Sequence, residues 1–313
     1  MRIGFLDKAH PLLTERLVRA GHQCVELDPA NTSLDVMSYK SLNGLIVRSS
    51  LVGADLLGIC PQLQFVARVG SGLENIDTGF CRKNGIRVLN SPEGNRDGVG
   101  ETCVMLLLAL MKLLVPANTA VRAGAWPREA LRGTDLRGKT VGIIGFGNMG
   151  SAFAEKLRGF GVTVLGHDKY RSGFARAGVE ECSFEKVMRE SDVISLHLPL
   201  GPETCYYADH DFFLRPGKPI WFLNTSRGGV VHTASLLDAI DHGRVIAAGL
   251  DVLEFETPQL TGLDPNNDPV TQQRLLHHDR VLITPHIAGV THEGKQKMAE
   301  VLVAKILHFF PNG

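Results

Sequence analysis

The sequence predicts an α/β protein with two parallel sheets in separate domains. Three observations carry this. The 313 residues are about twice a usual domain length, short apolar runs alternate with helical stretches in two successive series, and a polar segment separates the series.

The first series comprises Arg2 to Leu6, Cys24 to Leu27, Leu45 to Val47, Phe65 to Val69 and Arg87 to Asn90. Such short apolar runs suit strands covered on both faces. Between them Leu12, Leu13, Leu17 and Val18 recur at helical spacing, and Ile76 to Cys81 opens another helix before the turn at Asn84-Gly85. Residues 1–97 therefore form a small α/β domain. Val99 to Val115 is read as one helix, too apolar all round for a surface position, ending at Pro116 and buried on most sides. A polar segment with Gly124, Trp126, Pro127 and Gly133 leads to the second series: Thr140 to Ile144, Thr163 to His167, Val193 to Leu196, Ile220 to Asn224, Ala247 to Leu250 and Val281 to Ile283. These predict a larger sheet within residues 98–287. In the remainder, 288–313, a last helix runs from about Glu293 to Phe310 with apolar Met298, Val301, Ile306 and Phe309, and no strand follows.

Composition narrows the function classes. With 44% hydrophobic and 21% charged residues the chain is neither disordered, collagen-like nor a coiled coil. Lys plus Arg and Asp plus Glu each number 33, so no global field favours nucleic acid or a membrane surface as a partner. The longest charge-free apolar stretch, Cys103 to Met111, is far short of the ~18 residues a bilayer span needs. The first residues lack a signal-peptide pattern, so a cytoplasmic location is expected. Six dispersed cysteines without a C-x-x-C pair fit neither a disulfide framework nor a zinc site, and no metal is expected.

Gly145-Phe146-Gly147-Asn148-Met149-Gly150 matches G-x-G-x-x-G, a pattern that 34 glycines would produce about 0.4 times by chance. Its context makes it specific. The strand Val141 to Ile144 enters it, a helix from Ala152 to Phe160 follows, and Asp168 ends the next strand 18 residues past Gly150. This predicts a Rossmann dinucleotide site: Gly145 and Gly147 permit a tight turn and close approach of a pyrophosphate, whose charge meets the N-terminus of the following helix, with Asn148 and Met149 of the loop also at the cofactor. Gly150 lets the helix approach the sheet. A carboxylate at Asp168 accepts from ribose hydroxyls and repels a 2′-phosphate, favouring NAD over NADP. Lys169 and Arg171 work against that preference.

Polar groups cluster at the ends of later strands: Arg227 in N-T-S-R-G-G, Asp251 and Glu256 in G-L-D-V-L-E-F-E, and His286 in T-P-H-I-A-G. Strand C-terminal ends face the ligand crevice of an open α/β sheet. These segments, with Arg68 to Asp77, Asn90 to Asn95, the glycine loop and His197-Leu198-Pro199-Leu200, appear over nearly the whole chain in the order of a known family. The chain resembles the D-isomer-specific 2-hydroxyacid dehydrogenases, most nearly the 3-phosphoglycerate dehydrogenase branch.

The resemblance implies a Rossmann domain inserted in a flavodoxin-like substrate domain that the last helix completes, with the active site in the cleft between them. It implies that Arg227 grips the substrate carboxylate, that His286 is the acid/base and that Glu256 supports it. Glu254, two residues away, is distinguished from Glu256 only by family spacing. The chemistry needs these types. Reducing a 2-oxo acid places a hydride on carbon and a proton on oxygen, a task suited to an imidazolium. A neighbouring carboxylate favours that charged form and fixes the tautomer. A guanidinium holds a carboxylate through two parallel hydrogen bonds. By resemblance alone, Ser71, Leu198, Pro199, Thr225, Ser226, Asp251 and Ala288 join the glycine loop, Arg227 and His286 around the cofactor. Arg48, Val69, Gly70 and Ser71 join Arg227 and His286 around the substrate, Arg48 at a phosphate.

The implied reaction interconverts a D-2-hydroxy acid and a 2-oxo acid, the leading pair being 3-phosphoglycerate and 3-phosphohydroxypyruvate of serine biosynthesis. Glyoxylate/hydroxypyruvate reductase and erythronate-4-phosphate dehydrogenase are enzyme alternatives, and an NAD-sensing corepressor-like binding protein is the non-enzyme one. Formate dehydrogenase is disfavoured because its relatives carry an amide where Glu256 stands. The 29 residues between Glu256 and His286 exceed the family pattern and are expected to shape substrate access. The chain stops after its last helix, so neither a regulatory domain nor control by serine is expected. A symmetric homodimer around Val99 to Val115 and the Trp126 loop is expected.

Overall fold

The computed structural model describes residues 1–27, 36–257 and 261–311. The chain divides into two compact units, Met1–Arg96 with Val290–Gly313, and Asp97–Gly289.

The first unit has five parallel strands, β1 (Arg2–Phe5), β2 (Gln23–Glu26), β3 (Gly44–Val47), β4 (Phe65–Arg68) and β5 (Arg87–Asn90), in the order 2-1-3-4-5. That is the flavodoxin-like order the resemblance implied. The central strand β3 is buried at all four positions, which is why it is a continuous apolar run without alternation. The helix Pro11–Arg19 starts with proline in its first turn and His10 accepting from Leu12 N. Its buried face is Leu13 and Leu17, four residues apart, whereas Val18 of the expected stripe is half exposed. The helix expected from Ile76 begins at Thr78, where the Asp77 side chain accepts from Phe80 N. The last helix, His292–Phe309, buries Ala299, Leu302, Val303 and Ile306 in one core with Leu13, Leu17 and Phe65. Both ends of the chain thus build this unit. Phe309 lies outside that core, under the Arg87 guanidinium.

The second unit has seven parallel strands: β6 (Thr140–Ile144), β7 (Thr163–His167), β8 (Val179–Glu181), β9 (Val193–Leu196), β10 (Ile220–Asn224), β11 (Val245–Leu250) and β12 (Val281–Ile283). Their order is 12-11-10-9-6-7-8. Read from β8 toward β11 this is the doubly wound Rossmann arrangement, which reverses between β6 and β9. β8 was not expected: Val179-Glu180-Glu181 offers one apolar residue at a sheet edge, too little for a periodic signal.

The single helix expected over Val99 to Val115 is two helices, Arg96–Met111 and Leu114–Arg122, meeting at 59°. The first ends before Leu113, whose φ of 52° is left-handed. Pro116 does not end a helix but sits in the first turn of the second, where its missing N–H has no intrahelical acceptor to satisfy. Burial differs accordingly. Cys103, Leu106 and Leu107 are fully buried, whereas the second helix buries nothing and exposes Leu114, Val115 and Val121. No single helix among the described residues is long and apolar enough to cross a membrane.

Candidate active site

The strand β6 runs into the glycine loop at the point of strand-order reversal. Gly145 has φ of +91°, and a Cβ there would meet the His197 carbonyl at the end of β9. A Cβ on Gly150 would meet the Gly145 carbonyl, so the helix Asn148–Lys156 packs against the loop only with glycine at that position. Gly147 differs: it is the N-cap, no side chain caps the helix there, and an added Cβ would meet nothing within 4 Å. Free space and uncapped helix N–H groups are what an anionic pyrophosphate requires, so these residues fit a dinucleotide. Asp168 follows β7 and accepts from Phe146 N at 2.8 Å, Tyr170 N at 2.9 Å and Arg171 N at 3.0 Å. Its carboxylate therefore also fixes the glycine loop, leaving further lone pairs for a ribose.

Lys169 is committed elsewhere. Its ammonium pairs with Glu203 at 2.7 Å, and Tyr170 OH donates to the same carboxylate. Glu203 follows β9 and Lys169 follows β7, with β6 between them, so the pair reaches across the glycine strand. A lysine neutralised in this way offers less to a 2′-phosphate. Sequence reasoning missed Glu203 because 34 residues separate the partners and nothing local marks them.

Leu198 is half buried and Pro199 exposed, the latter's carbonyl accepting from Thr204 Oγ1. Before them His197 bonds Ser195 Oγ through Nε2 at 2.9 Å, and its Nδ1 is buried without a partner. Burial pushes this imidazole down to about 4. The unfolded chain titrates near ~6.5, so between these values it binds more protons and stability falls with falling pH. Urea midpoints are expected to drop from pH 6.5 toward 4, and His197→Gln should flatten that slope. An unchanged slope would assign the acid sensitivity to other groups.

The N-T-S-R-G-G turn is organised by Asn224, fully buried at the end of β10. Its Oδ1 accepts from Ser226 N at 3.0 Å and Ser226 Oγ at 2.7 Å, and its Nδ2 donates to Arg227 O at 2.9 Å. An asparagine before a tight turn was the available signal for this role. Thr225 Oγ1 meets Cys103 Sγ, and Thr225 and Ser226 are both buried. Arg227 is extended and half buried, with Nη1 donating to Ser226 O at 2.6 Å. A Cβ on Gly228 would overlap the Leu253 carbonyl, so glycine there lets the Asp251–Glu256 segment lie directly on the arginine turn.

That segment separates its two glutamates. Glu254 accepts from Tyr206 OH and from Thr233 N, both at 2.8 Å, and so anchors a helix start; the hydrogen bond to Glu254, then burial and the carboxylate's charge, push the Tyr206 phenol up to about 12. Glu256 accepts from Leu253 N through Oε1 and meets His286 Nδ1 through Oε2, each at 2.9 Å. His286 has φ of 55°, a left-handed conformation uncommon outside glycine. Asp251 is fully buried, and its two oxygens accept from Thr284, Ile287 and Ala288; Ala288 is 3% exposed.

In the first unit Arg48 is exposed just beyond β3. Asp7 fixes its loop by accepting from Arg48 N at 2.7 Å, Ser49 N and Ser50 N at 3.0 Å, and Ser50 Oγ at 2.8 Å. Burial works to raise the Asp7 pKa, but these donors outweigh it and hold the carboxyl below its ordinary value. Val69 is buried after β4, Gly70 N donates to Ser91 Oγ, and Ser71 is held by Asn90 Nδ2 on its carbonyl and Asn95 Oδ1 on its hydroxyl. Among the described residues no group of three or more His, Cys, Asp or Glu side chains is arranged to hold a metal ion.

A model of the D-isomer specific 2-hydroxyacid dehydrogenase NAD binding domain matches residues 104–288. The chain is 35% identical over 263 residues to the hydroxypyruvate reductase of Thermotoga maritima, covering 84% of this chain and 83% of that protein. It is 34% identical over 272 residues to the D-3-phosphoglycerate dehydrogenase of Mycobacterium leprae, covering 86% of this chain and 49% of that one, and so spans about half that relative's length. The crystal structure of D-lactate dehydrogenase from Aquifex aeolicus, complexed with NAD and lactic acid, superposes with a TM-score of 0.83 at 26% identity over 99% of this chain and 96% of that one. The chain belongs to the D-isomer specific 2-hydroxyacid dehydrogenase family, and its dinucleotide is NAD.

Proposed function

We propose that this protein interconverts a D-2-hydroxy acid and its 2-oxo acid with NAD(H). The carrying observation is the 2.9 Å contact between His286 Nδ1 and Glu256 Oε2, the other oxygen of Glu256 being held by Leu253 N. With Nδ1 occupied, Nε2 is the nitrogen that exchanges a proton with the substrate oxygen. Glu256 stabilises the imidazolium and fixes the ring. Arg227 holds the substrate carboxylate in a two-bond fork. The helix N-terminus at Gly147 to Gly150 takes the pyrophosphate and Asp168 the adenosine ribose. Bound NADH supplies the hydride. In reduction His286 gives up one proton and is reprotonated from solvent; oxidation reverses this. A panel of 3-phosphohydroxypyruvate, hydroxypyruvate, glyoxylate and pyruvate with NADH and NADPH tests the reading. Failure to turn over any of them would favour a dinucleotide-sensing binding protein.

For the substrate we favour the phosphorylated pair, because Arg48 is exposed on a loop that Asp7 holds rigid, and a guanidinium fork suits phosphate oxygens. A hydroxypyruvate reductase is the second reading, supported by the relative from Thermotoga maritima. Arg48→Ala decides between them. It should cost the specificity constant for 3-phosphohydroxypyruvate about 1.5–3 kcal/mol and leave hydroxypyruvate almost unaffected. Equal losses would withdraw the phosphate reading.

We also propose a homodimer. Met105, Leu114, Val115, Val121 and Trp126 are each about half exposed or more, and apolar residues concentrated on two successive helices and the following loop call for cover. Sedimentation at micromolar concentration should give twice the chain mass, and a monomer would reject it.

A further inference from the structure

The preference that Asp168 gives to NAD has an opponent one residue away. Lys169 is exposed, and an ammonium beside the ribose carboxylate is the group that a 2′-phosphate would recruit. Here it is already engaged. Its Nζ pairs with Glu203 Oε2 at 2.7 Å and lies 5.2 Å from the centroid of the Tyr170 ring, while the Tyr170 hydroxyl donates to the same Glu203 oxygen. Each partner keeps the other ionised. The bond to Glu203 raises the Lys169 pKa, and the bond from Lys169, followed by that from Tyr170, lowers the Glu203 carboxyl.

Both ends of the pair leave from turns that are tied down. Asp168 Oδ1 accepts from Tyr170 N and Arg171 N, which sets the backbone beyond Lys169. Glu203 stands in a turn closed by Thr204, whose hydroxyl accepts from Gly201 N at 2.9 Å and donates to Pro199 O at 2.6 Å. One turn follows β7 and the other follows β9, so the pair links the strands on either side of β6 at the end where the glycine loop begins. An exposed ion pair adds little to stability, so the consequence lies in what the lysine can still offer. With its charge matched by Glu203, Lys169 no longer offsets the repulsion between Asp168 and a second anion.

We infer that Glu203 is a specificity-determining residue for the dinucleotide that acts through Lys169: its carboxylate engages the ammonium that would otherwise receive a 2′-phosphate. The pair thereby reinforces the choice of NAD that Asp168 makes. The inference rests on the dinucleotide site at the glycine loop and not on the identity of the substrate, so binding is what reads it. Arg171 is the other exposed cation of this turn, and the test separates it from Lys169.

Dissociation constants for NADH and NADPH are measured by fluorescence titration of the whole protein carrying Glu203→Ala, Lys169→Ala or both. Both side chains are exposed, so neither change opens a cavity. Glu203→Ala is expected to tighten NADPH binding at least about fivefold while NADH stays within about twofold. Lys169→Ala alone should move NADPH by less than about twofold, and in the Glu203→Ala background it should abolish the gain. An NADPH constant that Glu203→Ala leaves unchanged would overturn the inference. A gain that survives the loss of Lys169 would overturn it too, because Glu203 would then act by its own charge or through Arg171. A parent protein that binds no NADH would remove the dinucleotide site and this role with it, a failure distinct from the other two.

Discussion

His286→Asn is expected to lower turnover by about 10²–10⁴ while leaving NADH affinity nearly unchanged. Asparagine is the informative replacement because His286 is left-handed at φ of 55°, a conformation asparagine tolerates better than alanine does. A fall in rate then reports the lost proton transfer and not a collapsed turn. The amide can still accept a bond or donate one, but it cannot carry a proton between substrate and solvent. Steady-state kinetics at saturating NADH with fluorescence titration of the cofactor check the prediction. Turnover within a few fold of the parent would remove His286 from the proton step and leave the Glu256 contact without a catalytic purpose.

The sequence carried those parts of the site whose signals are local. The glycine loop is recognisable because strand, turn and helix follow one another within a few residues, and Gly145 and Gly150 are glycines for reasons of contact within that same stretch. His286 and Arg227 stand at strand ends, where periodicity stops and polar motifs begin. The choice between Glu254 and Glu256 was not local. The two differ in what each touches: a helix start and a tyrosine for Glu254, a histidine 30 residues on for Glu256. Glu203 and Asp7 were invisible for the same reason, since their partners lie just past other strands. In the fold, the break at Leu113 was hidden because apolar residues continue through it and the proline lies just beyond, in a turn that tolerates it. The short edge strand β8 was hidden by its charges.

Arg227→Lys should also be damaging, although it keeps the charge. The backbone around Arg227 is fixed: Asn224 bonds its carbonyl, and Gly228 brings the turn against the carbonyl of Leu253. The side chain therefore leaves from a defined point, and its Nη1 is already spent on Ser226 O. A guanidinium carries five N–H donors in a planar fork, the geometry of a two-bond grip on a carboxylate. A lysine ammonium is a compact point charge without the planar fork, so in satisfying Ser226 O it forfeits that grip. Loss of one charged hydrogen bond, about 1.5–3 kcal/mol, corresponds to a fall of about 10–150-fold in kcat/KM for the 2-oxo acid. Because the carboxylate also orients the adjacent carbonyl, kcat should fall along with the rise in KM, while NADH affinity stays constant. A change confined to KM would show that Arg227 binds the substrate without orienting it. A kcat/KM within threefold of the parent would mean that the carboxylate is held elsewhere.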